Sequence, residues 1–147
     1  MIIDTLNAKI LKCLQDNARL SNAEIGRQVG ISSPAVSERI KKMEDIGIIE
    51  GYKTIVSPFE IGYQLKAIIT LRAFMGKLKP FLEKVKTYDE VINCYRITGD
   101  ENIVMEVVLK NQKHLETFID QLISYGESKT QIVLSRVVKQ KGVIPIK

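Results

Sequence analysis

Asp100 and Glu101 are neighbouring carboxylates within Gly99-Asp100-Glu101-Asn102, a stretch whose composition suits a tight hairpin turn. Adjacent turn carboxylates are ordinarily solvated. Beside a subunit interface, however, such a group can hold the ammonium of a small zwitterion while turn amides and hydroxyls hold its carboxylate. His114 is the only histidine, and at the start of an amphipathic stretch it suits a solvated or helix-capping role better than that of a base. No Ser/His/Asp or Cys/His set, no metal-ligand spacing and no glycine-rich phosphate loop accompanies it. The expectation is therefore a protein that is not an enzyme, with no catalytic residues, no metal and no cofactor. Cys13 and Cys94 stand apart among aliphatic neighbours, which suits buried thiols in a reducing compartment.

A second group with chemical potential is polar and basic. Pro34, Ala35, Ser37, Glu38, Lys41, Lys42 and Asp45 share one arc of a helical wheel, opposite the apolar stripe Val36, Ile40 and Met43. Arg39 falls at the edge of that arc, where it can reach a phosphate or pair with an acidic neighbour. The elements that position this face are short and well marked. Leu6, Ile10 and Leu14 recur at helical spacing and predict a first helix from Asp4 to about Gln15 or Asp16. Ser21-Asn22-Ala23-Glu24 has capping-box spacing, and Gly30 suits the left-handed stop of the second helix. Ser32-Ser33-Pro34 then opens the third. A short helix, a glycine turn and a helix with small and basic residues outward is the geometry that places a helix in the DNA major groove, although ordinary helical bundles share it.

After Pro58 and Gly62 the period changes. Leu65, Ala67, Ile69, Leu71 and Ala73 alternate with polar residues as a half-buried strand, and Leu78, Phe81, Leu82 and Val85 mark a helix. Strands are predicted at 91–98 and 103–109, then a helix on Leu115, Phe118, Ile119, Leu122 and Ile123 that Gly126 stops, then a strand at 130–138. The order β-α-β-β-α-β is a split βαβ unit. Its sheet carries both helices on one face and leaves the other needing cover, which predicts a homo-oligomer. Tyr95, Ile97, Val104, Val108, Val133 and Val137 are candidates for one sheet face or the other.

Length and charge are consistent with this plan. At 147 residues the chain holds one ordinary domain or two small ones, and 45% hydrophobic with 27% charged residues is a globular balance. The net charge of +5 suits a polyanionic partner, yet residues 1–60 hold eight bases and eight acids, so the excess lies entirely after them. Aliphatic runs such as Ile132-Val133-Leu134 are far too short to span a bilayer. Met1-Ile2-Ile3 gives way at once to polar residues, so a cytoplasmic location is expected.

The chain resembles the Lrp/AsnC family of transcriptional regulators over nearly its whole length. The resemblance is carried by Asp4, Ile10-Leu11, Leu14, Asn17-Ala18-Arg19-Leu20-Ser21, Ile25-Gly26 and Val29-Gly30-Ile31-Ser32. It continues through Val36, Glu38-Arg39-Ile40, Met43-Glu44, Gly47-Ile48-Ile49, Gly51-Tyr52, Cys94-Tyr95-Arg96 and Thr98-Gly99-Asp100. It implies an α+β chain: a winged helix-turn-helix over 1–50, a hinge strand or linker over 51–62, and a ferredoxin-like effector-binding and oligomerisation domain over 63–147. It further implies homodimers that gather into tetramers or octamers, bind double-stranded DNA, and respond to a small amino acid held between dimers. No membrane partner is expected.

Carried over by position, the resemblance turns Ser33, Ser37, Glu38, Lys41 and Lys42 toward bases or phosphates, with Arg39 as a backbone anchor. It places the effector pocket at Thr98, Gly99, Asp100, Glu101 and Asn102, joined by Ser128 and Thr130 from a neighbouring dimer. Many members have an aromatic residue and a second aspartate after the position of Asp100, where this chain has Glu101 and Asn102. An alternative reading is an architectural DNA-binding protein that responds to no effector, favoured by the basic second half and the altered turn.

Overall fold

A computed structural model describes residues 3–146; Met1 and Ile2, which open the stretch read above for a secretion signal, and Lys147 lie outside the described residues. Contacts divide the chain into two units, Met1–Ile55 with Val138–Lys147, and Val56–Val137. The sequence reading assigns 138–147 to the second domain, whereas here that segment groups with the first.

The first unit is built on α1 (Thr5–Asp16), α2 (Asn22–Val29) and α3 (Ser33–Asp45). Local chemistry starts and stops each one. The Asp4 carboxylate accepts the Asn7 N–H at 2.7 Å, Ser21 and Glu24 form a full capping box, and Gly30 at φ 80° ends α2. Ser32 Oγ caps α3 by accepting the Ala35 N–H. Ile10, Ile25, Val36 and Met43 are fully buried at the centre, with Leu14, Leu20, Ile40 and Ile48 packed around them. A Cβ on Gly26 would lie 2.5 Å from the Ile31 carbonyl oxygen, so glycine there permits the close approach that sets the α2–α3 turn. After α3, residues 51–57 pair with no strand among the described residues, although their sequence is extended and β-branched.

The second unit runs β1 (Leu65–Ala73), α4 (Leu78–Lys84), a 3-10 turn (Val85–Thr87), β2 (Val91–Arg96), β3 (Ile103–Leu109), α5 (Gln112–Leu122) and β4 (Gly126–Ile132). The sheet order is β2-β3-β1-β4, antiparallel throughout, as in a ferredoxin-like fold. Ala67, Ile69 and Leu71 stand opposite Val107, Met105 and Ile103 on the buried face, where Phe81, Phe118 and Leu122 of the helices cover them. Tyr95 and Val104 pair on the opposite face, where Tyr95 is exposed.

Two predicted boundaries move. The last strand is at 126–132 and not at 130–138, because its extent is set by β1: Ala73 stands opposite Gly126 and Ala67 opposite Ile132. Among the described residues the β-branched run that follows has no strand partner beyond the Val133 N–H bond to Lys66, and Leu134 and Val137 are almost fully exposed. Gly126 accordingly opens a strand and does not stop a helix. A Cβ on it would drive into the Arg72 carbonyl, so only glycine lets β4 lie against the end of β1. The second strand ends at Arg96 and not at 98: Ile97 N–H bonds the Asn102 carbonyl at 2.8 Å and leaves Thr98–Glu101 as the loop.

Candidate DNA-reading helix and ligand turn

On α3, Ser33, Ser37, Glu38, Lys41 and Lys42 are all exposed, whereas Val36 and Met43 are buried. Glu38 and Lys42 form an i,i+4 ion pair at 2.8 Å, and the ammonium holds the Glu38 carboxyl below the usual carboxylate range. Lys41 has no side-chain partner among the described residues. Of the two roles open to Arg39, the structure shows the ion pair. Its guanidinium donates to Asp4 Oδ2 at 2.7 Å and to Asn7 Oδ1 at 2.9 Å, tying α3 to α1. Glu44, near the end of the helix, accepts a hydrogen bond from the Tyr52 hydroxyl at 2.9 Å.

At the turn, Thr98, Gly99 and Asp100 are exposed, with Gly99 at φ 108°. Their two neighbours are already engaged. Asn102 supports the sheet: its N–H bonds the Leu71 carbonyl and its Oδ1 accepts the Ala73 N–H at 2.8 Å. Glu101 accepts from Lys129 of β4 at 2.7 Å, and that bond holds its carboxyl below the ordinary range. Asp100 makes no side-chain hydrogen bond or ion pair among the described residues, and so differs from Glu101 beside it. Ser128 and Thr130 share register rows with Leu71 and Ile69, while Lys129 between them emerges on the other sheet face. Within one chain the turn and the two hydroxyls are therefore not brought onto a common face.

His114 is structural. Its Nδ1 accepts the Lys110 N–H at 3.1 Å, so the proton lies on Nε2, which donates to Glu90 Oε1 at 2.9 Å. The half-buried ring pins the entry to α5, where a solvated or capping residue was expected. Both cysteines are free and partly buried, and burial pushes the Cys94 thiol up.

Residues 3–50 match the family described as winged helix-turn-helix DNA-binding, and residues 66–143 match the Lrp/AsnC ligand binding domain. The second match alone spans more than half of the chain. The chain belongs to the Lrp/AsnC family. Among its Lrp/AsnC relatives, the HTH-type transcriptional regulator Ptr1 of Methanocaldococcus jannaschii is 34% identical over 99% of this chain and 100% of its own length. LrpB of Bacillus subtilis is 31% identical over 95% of this chain and 93% of its own. A Neisseria meningitidis transcriptional regulator solved as its L-Met complex superposes with a TM-score of 0.90 at 27% identity, covering 95% of both chains. Escherichia coli AsnC superposes at 0.86 with 29% identity, over 96% of this chain and 98% of its own. The protein is thus an Lrp/AsnC-type transcriptional regulator with a helix-turn-helix DNA-binding unit and a ligand-binding domain. Among the described residues no helix is long and apolar enough to cross a membrane.

Sequence reasoning missed a further feature of this Lrp/AsnC chain. Gln15 of α1 donates through Nε2 to the Val143 carbonyl at 3.0 Å and accepts the Val143 N–H on Oε1 at 2.7 Å. The clamp fastens the returning C-terminal segment to the DNA-binding unit. A lone glutamine on a polar helical face gives no signal of it.

Proposed function

We propose that this regulator prefers particular DNA sequences, and that a small amino acid bound between its subunits sets its assembly or its DNA affinity. The observation that carries the reading is the unengaged Asp100 carboxylate in a turn where Glu101 and Asn102 are already bonded within the fold. A free anion beside a left-handed glycine suits an α-ammonium group. The Neisseria relative solved with L-Met supports an amino acid as the ligand class. Thr98 and Gly99 line the same turn, and Ser128 and Thr130 of a second dimer complete the pocket. The sheet face bearing Tyr95 supplies the surface for homodimers, which assemble further into tetramers or octamers.

On DNA, Ser33, Ser37, Glu38, Lys41 and Lys42 face the groove, and Arg39 fixes the helix that carries them. Weak half-site contacts add up because linked modules act at high effective concentration. The architectural reading has no structural observation of its own in its favour.

The test is fluorescence anisotropy of a duplex from the gene's own upstream region against a scrambled duplex, at fixed salt, with and without an amino-acid pool. Fixed salt matters because non-specific affinity falls steeply with it. The expected result is preference for the upstream duplex that shifts with the pool, with the shift lost in Asp100→Ala. Equal binding to both duplexes that ignores the pool would overturn the reading, and an Asp100→Ala protein with full response would remove Asp100 from it.

A further inference from the structure

The outward arc of α3 is a poor polyanion binder by charge alone. Glu38, Glu44 and Asp45 balance Arg39, Lys41 and Lys42, so the helix that must approach phosphates carries no net positive charge. Glu44 is engaged by Tyr52 and Asp45 closes the helix, but Glu38 stands mid-helix with its side chain 69% exposed. A carboxylate carried into a phosphate-lined groove costs affinity unless it meets a donor there.

Base edges offer few donors. In the major groove the only ones are N4 of cytosine and N6 of adenine. Adenine N6 lies between two acceptors, its own N7 and O4 of the paired thymine, so a carboxylate aimed at it is repelled from both sides. Cytosine N4 has an acceptor on one side alone, O6 of the paired guanine, followed by N7. The α3 surface carries the complement of that pattern. Glu38 Oε1 and Lys42 Nζ are 2.8 Å apart, one an acceptor and the other a donor with three hydrogens. The ion pair sets the acceptor and the donor side by side.

We propose that Glu38 and Lys42 act as one unit that reads a C·G base pair in each half-site, Glu38 accepting from cytosine N4 and Lys42 donating to guanine O6 and N7. Lys41, which has no such partner, serves the backbone. The inference rests on the reading of α3 as the groove-entering helix and goes beyond it by naming the base pair and the residues that choose it. Discrimination at that position is expected to be about tenfold to a hundredfold, the range of a good bidentate contact.

The experiment is selection from a randomised duplex library with the full-length protein and the variants Glu38→Gln, Lys42→Ala and Lys41→Ala. Melting curves confirm that each exposed-site variant is folded. The native protein is expected to enrich C·G at one position in each half-site. Glu38→Gln is expected to move that position toward A·T, because a carboxamide matches adenine N6 and N7 as donor and acceptor together. Lys42→Ala flattens the preference there, and Lys41→Ala keeps the native pattern at lower affinity. A Glu38→Gln protein that selects the same bases as the native chain at every position overturns the proposal and leaves the regulator reading standing. A native protein that selects no sequence overturns both.

Discussion

Arg39 reaches back across 35 residues to Asp4, with Nη1 and Oδ2 2.7 Å apart, and the same nitrogen bonds Asn7 Oδ1. Asp4 thereby serves two elements at once. One carboxylate oxygen caps α1 and the other takes the guanidinium of α3. α3 is oriented on the first helix through this junction, as well as through the apolar core.

Arg39→Ala is therefore expected to act on stability before it acts on DNA. It leaves the nearly buried Asn7 carbonyl without its donor, at a cost of about 1 kcal/mol. Thermal melting of the variant checks this. The salt dependence of DNA binding separates the roles of the two bases. Lys41→Ala should weaken all duplexes alike and reduce the log–log salt slope by about one, as one phosphate contact is lost. Arg39→Ala should leave that slope unchanged, and a reduced slope would show that Arg39 touches phosphate.

The same junction predicts an acid sensitivity. The Arg39 bond, followed by the Asn7 N–H, holds the Asp4 carboxyl below its ordinary range in the folded chain. A depressed folded value means that the unfolded chain binds the proton more readily. The contribution to stability is complete above the unfolded value and drains away as pH falls through the folded one. Asp4→Asn should melt below the native protein at neutral pH and converge with it in acid. Parallel melting curves across that range would show that the pair contributes no pH dependence.

What could be read from the sequence follows the distance over which each signal acts. The capping box at Ser21 and Glu24, the Gly30 stop and the Ser32 cap are local, and each appears where the spacing places it. The alternation in β1 likewise identifies its buried face. Composition sets the last strand too late, because the β-branched residues at 132–138 mark a strand while the hydrogen-bonding partners from β1 lie opposite the polar 126–132. The engagement of Glu101 by Lys129 and of Arg39 by Asp4 depends on packing between segments 28 and 35 residues apart. No local spacing encodes them. For the turn this matters functionally, since the sequence shows two adjacent carboxylates and the fold leaves only Asp100 unengaged.

Gly126 tests the strand assignment. Its Cα lies against the Arg72 carbonyl at the end of β1, in the space a Cβ would fill. Backbone yields less readily than a side-chain tip, so Gly126→Ala should cost about 1–3 kcal/mol, the range for overpacking a tight site. Urea unfolding followed by circular dichroism measures the loss. Native stability in the variant would show that β4 can start later, nearer the position composition suggests.

Gln15 provides the last prediction. Val143 and Ile144 are 79% and 89% exposed, so apolar burial does little to hold the C-terminal segment. The two hydrogen bonds between the Gln15 amide and Val143 are then the main local restraint, each worth about 1 kcal/mol net. Gln15→Ala should raise amide hydrogen exchange at Val143 and speed tryptic cleavage after Lys139 and Lys141, while the α1–α3 core keeps its protection. Gln15→Glu keeps the acceptor for the Val143 N–H and loses the donor to its carbonyl, so its exchange should fall between the two. Exchange at Val143 that is equal in all three proteins would mean that the segment is held by something other than Gln15.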